Sequence, residues 1–182
     1  MNNLETEFKF KIDKLPVVNF DKAKKHYIKQ IYFNGRNKTS ILKNYFPDVD
    51  FDLISTYRIR YIDDLIILTV KSKTIENGFS RIEEEKEITE IDVMKLISDT
   101  DTNIIIKNRY IDIYSGYKFE FDEYLNLGTK LYTVEIEVDK DVRYEDCVSK
   151  LGERIRDHYQ VECLDVTFDP AYKNSNLHKY FG

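Results

Sequence analysis

The alternation of charged and uncharged residues near the N-terminus constrains the fold more than any other feature. The run from Glu5 to Lys11 reads ETEFKFK, so charges occupy every second position. Successive side chains of a strand point to opposite faces, and same-face neighbours lie about 6–7 Å apart. Two carboxylates at this spacing can hold a divalent cation, and the lysines beyond them can hold an anion that the cation carries. A surface strand can show the same alternation, so this segment alone does not decide between the two readings.

The composition predicts one globular domain spanning residues 1–182. Charged residues make up 34% of the chain, but 42% is hydrophobic and there are 14 Tyr and 11 Phe, which argues against general disorder. The formal net charge of −5 argues against a protein that coats nucleic acid. Nucleic acid is therefore an unlikely partner, although a local basic cavity remains open.

The two cysteines, Cys147 and Cys163, lack CxxC spacing and predict neither a disulfide framework nor a structural zinc site. The sequence shows no signal peptide and no apolar run of the roughly 20 residues that a membrane helix needs. We therefore expect a cytoplasmic protein that does not enter a membrane. The sequence leaves open whether it is a monomer or a homodimer.

Most of the chain follows a β pattern. Short segments rich in β-branched and aromatic residues are separated by polar turns, and residues 35–52 read as a long, mobile loop. Helical spacing is found at 90–98, with apolar residues Ile91, Val93, Met94 and Ile97, and at 142–158. The predicted strands are 5–11, 26–34, 54–62, 66–73, 79–89, 104–113, 118–124 and 131–139.

Charged residues of the later strands also share faces. Read with a period of two, many charged residues of these strands fall into same-face sets, and apolar residues occupy most of the opposite faces. Dense charge of this kind is unusual for a water-exposed face, because like charges repel one another. Basic pairs occur at Arg58/Arg60, Lys71/Lys73 and Lys107/Arg109, acidic pairs at Glu120/Asp122 and Glu135/Glu137, and Arg81 precedes Glu83 and Glu85.

These faces would line a cavity if the strands closed on themselves. About eight antiparallel strands can form a barrel wide enough for a small ligand. Converging Lys and Arg side chains favour a polyanion, and carboxylates favour Mg²⁺ or Mn²⁺. The chain has no GxxxxGK[ST] motif and only six glycines, so a P-loop is not the phosphate site. The residues therefore indicate a metal-bound polyphosphate.

Several segments resemble the CYTH superfamily, the triphosphate tunnel metalloenzymes. The ExExK pattern at Glu5, Glu7 and Lys9 is similar to the family signature, and IKQIYF is similar to its second-strand pattern. The resemblance covers residues 4–175 and implies an α+β, mainly β fold, with an eight-stranded antiparallel barrel and helices packed outside. The other matching segments, in the family's order, are YRIRY, TVKSK, SRIEEE, IKNRY, FEFDEYLNLG and TVEIEVD.

The resemblance also implies roles for individual residues. As metal ligands for Mg²⁺ or Mn²⁺ it implies Glu5, Glu7 and Glu137 first, and then Glu135. The phosphate-binding residues are Lys9, Lys11, Arg58, Arg60, Lys71, Lys73, Arg81, Lys107 and Arg109. A second cation or the attacking water would be held by Glu83, Glu85, Glu120 and Asp122. Phosphoryl transfer depends mainly on positioning and charge neutralisation, so no covalent nucleophile is required.

The family implies a small-molecule triphosphate as substrate but leaves the reaction open. The first expectation is a metal-dependent triphosphatase that releases orthophosphate from inorganic triphosphate or an organic or nucleoside triphosphate. The alternative is a class IV-type adenylyl cyclase, which makes cyclic AMP and pyrophosphate. It ranks lower because Met-Asn-Asn-Leu stands where those cyclases usually carry His-Phe before the first glutamate. A module that binds triphosphate without turnover is the third possibility.

Overall fold

The computed structural model describes residues 4–17, 24–74, 80–139 and 142–182. Within these ranges, residues 4–5 and 28–104 form one compact unit, and residues 6–17, 24–27 and 105–182 form a second. The strands of the described chain are β1 Leu4–Ile12, β2 Lys24–Phe33, β3 Ile54–Ile62, β4 Leu65–Ser72, β5 Ser80–Glu87, β6 Thr102–Tyr114, β7 Tyr117–Tyr124, β8 Tyr132–Glu137 and β9 Cys163–Asp165. The helices are α1 Thr39–Leu42, α2 Glu90–Ile97, α3 Tyr144–Tyr159 and α4 Leu177–Phe181, and 3-10 turns lie at Gly35–Lys38, Pro170–Tyr172 and Asn174–Asn176.

The first unit is built on an antiparallel sheet in the order β2-β3-β4-β5. Tyr57 and Ile59 of β3 and Leu68 and Val70 of β4 face the core, while the residues between them face the other way. The β3–β4 turn has Asp63 at a φ of 50°, a left-handed conformation that short polar residues tolerate. Period-two alternation therefore separates an apolar face from an ionic face in this unit.

Residues 35–52 do not form the mobile loop that the sequence predicted. They contain the first 3-10 turn and α1, and they bury Leu42 and Phe46 in the core of the first unit. Gly35 is required here, because a Cβ atom at this position would lie 2.3 Å from the ring of Tyr57. The error arose because polar residues dominate the segment while its few apolar side chains anchor it.

Helix α2 buries some of its apolar residues and exposes others. Its buried side chains are Val93 and Leu96, whereas Ile91 and Met94 are 60% and 62% exposed. Thr89 caps the helix, and its side chain accepts a hydrogen bond from the backbone N–H of Asp92 while Asp92 bonds back to Thr89. Of the four apolar residues at helical spacing, Val93 is buried and Ile97 is partly buried against the core, whereas Ile91 and Met94 face away from it.

The second unit contains an antiparallel sheet in the order β6-β7-β8-β1-β9. Its core is largely aromatic: Phe119 and Phe121 of β7 lie 5.0 and 4.7 Å, between ring centroids, from Tyr159 of α3. The hydroxyl of Tyr159 donates to Asp112 at 2.9 Å, which satisfies the polar end of a buried ring. Helix α3 is thereby fixed on the apolar face of the sheet, opposite the ionic face.

All eight predicted strands and both predicted helices are present; β3 has its predicted bounds, and the other elements have ends shifted by at most two residues. The sequence did not predict α1, β9 or the helical C-terminal segment, where Leu177 is buried. The pair Asn77-Gly78, which is typical of a turn, and most of residues 19–25, which the sequence allows as a helical turn or a loop, fall outside the described residues. Among the described helices, none is long and apolar enough to cross a membrane.

Candidate functional site

The ionic face of the first unit is organised around Arg58. Strand register aligns Arg58 with Thr69 of β4, and Thr69 with Glu85 of β5. The Arg58 Nη2 atom donates to Thr69 Oγ1 at 3.0 Å, to Glu85 Oε1 at 3.2 Å and to Glu83 Oε1 at 3.3 Å. Arg58 is only 4% exposed, so this guanidinium is removed from water and held by two carboxylates.

Glu5 joins two further cations of this unit. Lys71 Nζ lies 2.8 Å from Glu5 Oε2 and 2.8 Å from Glu83 Oε2, and Arg81 Nε lies 2.8 Å from Glu5 Oε2. Lys71 is 6% exposed. Three of the residues expected to bind phosphate, Arg58, Lys71 and Arg81, thus belong to one network with Glu5, Glu83 and Glu85.

The pKa values of two neighbouring carboxyls in this network, Glu83 and Glu5, are shifted in opposite directions. Burial raises the pKa of Glu83 to about 7, and Glu5 beside it adds to the effect while Lys71 offsets part of it. Burial also opposes ionisation of Glu5, but Lys71 and Arg81 outweigh that effect and hold its pKa well below the usual range. Glu83 is therefore the member of the pair that takes up a proton near neutral pH.

One donor of Arg58 has no acceptor. Among the described residues, its Nε–H is buried without a hydrogen-bond partner. A buried unsatisfied donor costs about 1–3 kcal/mol, so such groups are uncommon unless a ligand completes them. An anionic oxygen is the group that would satisfy it.

The second unit contains a more deeply buried network. Lys107 Nζ lies 2.5 Å from Asp122 Oδ2, and both side chains are fully buried. Arg109 binds the same carboxylate with two parallel bonds of 2.7 Å from Nε and Nη2. Arg109 also contacts Glu120 and Glu135, so one guanidinium serves three acidic residues.

Lys9 completes this network from β1. Register places Lys9 opposite Glu135, and Lys9 Nζ lies 3.0 Å from Glu135 Oε1. The ammonium also donates to Asn174 Oδ1 at 2.9 Å and, more weakly, to the Tyr124 hydroxyl at 3.4 Å. Lys107 Nζ lies 5.6 Å from the centre of the Tyr124 ring, so this tyrosine contacts both lysines.

The charges of the second unit perturb one another strongly. Burial and the charge of Arg109 lower the pKa of Lys107 to about 8, although Asp122 acts in the opposite sense. Burial opposes ionisation of Glu135, but Lys9, Lys107 and Arg109 outweigh it and keep its pKa well below the usual range. Glu135 is therefore a permanent anion held among three cations.

Buried ionic networks of this kind usually contribute little to the stability of the folded state. Desolvating buried ions often costs more than their attraction returns, and apolar replacements of similar volume are frequently neutral or stabilising. Groups with strongly perturbed pKa values that gather on one face are instead characteristic of functional sites. Each of the two ionic faces is therefore a candidate for binding a charged ligand.

Glu7 and Glu137 fit a divalent cation. They are direct cross-strand partners on β1 and β8, and Lys118 Nζ lies 3.6 Å from Glu137 Oε2. Like charges disfavour this arrangement, and a bound cation would relieve it further. No set of three or more His, Cys, Asp or Glu side chains within the described ranges could hold a metal ion alone. Mg²⁺ is commonly held by one or two carboxylates together with substrate phosphates, so a two-carboxylate site is compatible with it.

The remaining predicted residues lie at the edges of the networks. Lys11 and Lys73 are exposed, and Arg60 is half-buried. Burial raises the pKa of Glu85, but the charges of Arg60 and Arg58 outweigh burial and leave that pKa below its ordinary value. Sequence reasoning missed the uncharged members Thr69, Tyr124 and Asn174. Thr69 and Tyr124 share the period-two face of their charged neighbours and could have been found that way, whereas Asn174 lies outside any strand and carries no such signal.

Comparison with known proteins identifies the family. The chain is 33% identical over 130 residues to the inorganic triphosphatase of Acetivibrio thermocellus, covering 71% of this chain and 75% of that protein. The chain belongs to the CYTH superfamily of triphosphate tunnel metalloenzymes. No protein-family profile matches the chain, so the assignment to the CYTH superfamily rests on this relative.

Solved structures agree with the CYTH fold. The inorganic triphosphatase NE1496 is 22% identical with a TM-score of 0.55, covering 95% of this chain and 96% of that chain. A conserved protein from Pyrococcus furiosus is also 22% identical, with a TM-score of 0.53 and coverage of 84% and 88%. HpAC1 from Hippeastrum, named as an adenylyl cyclase with a dominant triphosphatase activity, is 17% identical, with a TM-score of 0.54 and coverage of 87% and 90%. These likenesses confirm the predicted fold class, which is mainly β with an eight-stranded antiparallel barrel.

Proposed function

We propose that this CYTH protein is a metal-dependent triphosphatase that releases orthophosphate from inorganic triphosphate or a related organic triphosphate. The observation that carries the proposal is the burial of Lys9, Lys107 and Arg109 with carboxylates on one face of a sheet. The similarity to a relative named inorganic triphosphatase supports the same substrate class. Hydrolysis of inorganic triphosphate would give diphosphate and orthophosphate.

The basic side chains would bind the phosphate oxygens. Arg58 suits this role because its Nε–H is buried without an acceptor in the described chain, and a guanidinium can bind phosphate with two parallel bonds. Lys71 and Lys9 offer ammonium groups with little exposure to water. The exposed Lys11 and Lys73 would act through longer-range attraction that raises the rate of encounter with an anion.

The carboxylates would have two different roles. We propose Glu7 and Glu137 as metal ligands, and Glu5 and Glu135 as further candidates. Glu5 and Glu135 form ion pairs with lysine and arginine, and Glu137 forms a longer one with Lys118 at 3.6 Å. A bound Mg²⁺ or Mn²⁺ would neutralise charge on the phosphates. The role of orienting water or holding a second cation stays with Glu83, Glu85, Glu120 and Asp122, each of which also fixes a neighbouring cation.

Three further assignments remain predictions. They are that residues 1–182 form a single domain, that the protein is cytoplasmic, and that it is a monomer or a homodimer. None of them is needed for the proposed chemistry.

Product analysis tests the function. Purified protein is incubated with inorganic triphosphate, ATP or thiamine triphosphate, with Mg²⁺, with Mn²⁺ or with EDTA, and the products are identified by phosphorus NMR. The proposal expects metal-dependent release of orthophosphate, and the three rates rank the substrates. Formation of pyrophosphate and cyclic AMP from ATP would contradict the triphosphatase and identify an adenylyl cyclase. Binding of triphosphate without turnover would instead identify a triphosphate-binding module.

A further inference from the structure

The C-terminal segment contributes one side chain to the buried network of the second unit. Asn174 begins the 3-10 turn Asn174–Asn176, and its Oδ1 atom accepts hydrogen bonds from Lys9 Nζ at 2.9 Å and from the Tyr124 hydroxyl at 2.8 Å. A single neutral oxygen therefore orients both a lysine and a tyrosine of the ionic face.

The ammonium of Lys9 has three N–H donors, and the structure accounts for all of them. One is directed to Glu135 at 3.0 Å, one to Asn174 at 2.9 Å and one to the Tyr124 hydroxyl at 3.4 Å. The last contact is near the limit of hydrogen-bond distance and is the weakest of the three. It is the donor that a phosphate oxygen can take at the smallest cost.

The absence of charge on Asn174 also keeps Lys9 able to attract an anion. Lys9 already has one carboxylate partner, and a second would neutralise the remaining attraction for an anion. An amide oxygen fixes the direction of the ammonium without adding negative charge. The hydroxyl hydrogen of Tyr124 is also directed to Asn174, so the oxygen of that hydroxyl can accept from Lys9 at 3.4 Å and from Thr133 Oγ1 at 3.3 Å.

The segment is held in place independently of Lys9. Asn176 Nδ2 donates to the carbonyl oxygen of Pro170 at 2.8 Å, and the backbone N–H of Thr129 donates to the carbonyl oxygen of Phe181 at 3.2 Å. Leu177 is fully buried. Asn174 is therefore presented by a folded element, which makes it suitable for positioning another side chain.

We propose that Asn174 is a positioning residue for Lys9, and that its uncharged amide keeps Lys9 able to bind a phosphate of the substrate. This inference rests on the proposed triphosphatase function. Asn174 does not need to contact the substrate; it sets the direction and the net charge of the site through Lys9 and Tyr124.

The test compares Asn174→Asp with Asn174→Ala and with Asn176→Ala, which removes a bond within the segment but leaves Lys9 untouched. Three quantities are measured for each full-length protein: the melting temperature, the affinity for inorganic triphosphate in EDTA, and KM and kcat with metal. Asn174→Asp keeps the shape of the side chain and an acceptor for Lys9 and Tyr124, so its melting temperature should stay close to that of the wild type. Its triphosphate affinity should nevertheless fall by about tenfold or more, with the effect mainly in KM.

Asn174→Ala should weaken binding less than Asn174→Asp does, and Asn176→Ala should lower the melting temperature with affinity close to wild type. A merely structural role predicts the reverse order, because aspartate is nearly isosteric with asparagine. The inference is overturned if Asn174→Asp binds triphosphate as the wild type does, or if affinity follows melting temperature across the three variants. Wild-type protein that neither binds nor hydrolyses triphosphate would instead overturn the proposed function, and the inference with it.

Discussion

Glu120 and Glu135 are direct cross-strand partners on β7 and β8, and Arg109 binds both of their carboxylates. Like charges in this position disfavour a sheet unless a counter-charge lies with them. Arg109 supplies that counter-charge while it also holds Asp122, and it is only 6% exposed. Arg109 is therefore the cation that all three carboxylates share.

Replacing Arg109 by leucine should lower the free energy of unfolding by about 3–5 kcal/mol, because carboxylates are left buried without their cation. Urea denaturation in EDTA measures the change. Arg143→Leu is the control, since Arg143 is 78% exposed and pairs only with Asp146 among the described residues; its effect should stay within about 0.5 kcal/mol. Equal effects of the two variants would show that the buried network does not need Arg109.

Neutralising Glu137 should separate stability from activity. Glu137→Gln removes the like-charge pair with Glu7 and also the exposed ion pair with Lys118, so the free energy of unfolding in EDTA should change by no more than about 1 kcal/mol. Metal-dependent phosphate release should fall by more than about tenfold. Glu7→Gln should behave in the same way.

The control for both variants is Glu87→Gln, an exposed glutamate at the end of β5. It should change neither quantity. Full metal-dependent turnover in Glu7→Gln and Glu137→Gln would refute the assignment of this pair as metal ligands.

Arg58→Lys should weaken triphosphate binding by about tenfold to a hundredfold, because the lysine loses the buried Nε–H and the planar fork of donors. Arg60→Ala should also weaken binding. Calorimetric titration with inorganic triphosphate in EDTA separates this effect from metal binding, and Arg143→Lys is the matched exposed control. Unchanged affinity in both variants would place the two arginines outside the substrate site.

The cap of α2 gives a pH-dependent prediction. The backbone N–H of Thr89, the hydroxyl of Tyr45 and the hydroxyl of Thr89 lower the pKa of Asp92 to about 2 from its ordinary 3.8. A carboxyl whose pKa is lower in the folded state stabilises the protein above its unfolded pKa, and that contribution is lost as the pH falls through the folded value. Asp92→Asn should therefore lower the melting temperature at pH 7, and the difference from wild type should shrink between pH 4 and pH 2. Asp101→Asn, an exposed control in the described chain, should show no such trend, and a constant difference for Asp92→Asn would contradict the role of its charge.

Period-two alternation predicted the strands and the ionic faces, because a strand has only two faces and a change of one residue would exchange them. Arg58, Lys71, Lys107 and Arg109 are buried on those faces. Whether each residue binds substrate stays a prediction, since burial and ion pairs do not by themselves identify a ligand.

Other features could not be predicted because they depend on tertiary contacts. Residues 35–52 have few apolar side chains, but Leu42 and Phe46 find a core that anchors the segment. Helix α2 offered two plausible apolar faces, and packing selected the one with Val93 and Leu96. Asn174 reaches the network from outside every strand, so no periodicity could reveal it.

The contact between Lys9 and Asn174 joins residues 165 positions apart, and β1 also pairs with β8 and β9 far along the chain. During synthesis, β1 therefore remains unpaired until β8 and β9 have been made, and its Phe8 and Phe10 side chains have no core to pack into in the meantime. Such long-range pairing slows folding and exposes an unpaired strand edge, although the charges of the other face discourage association with other chains. A chain that stops before residue 174 would carry every predicted phosphate-binding residue but would lack the acceptor that orients Lys9, so a truncated translation product would not have a complete site.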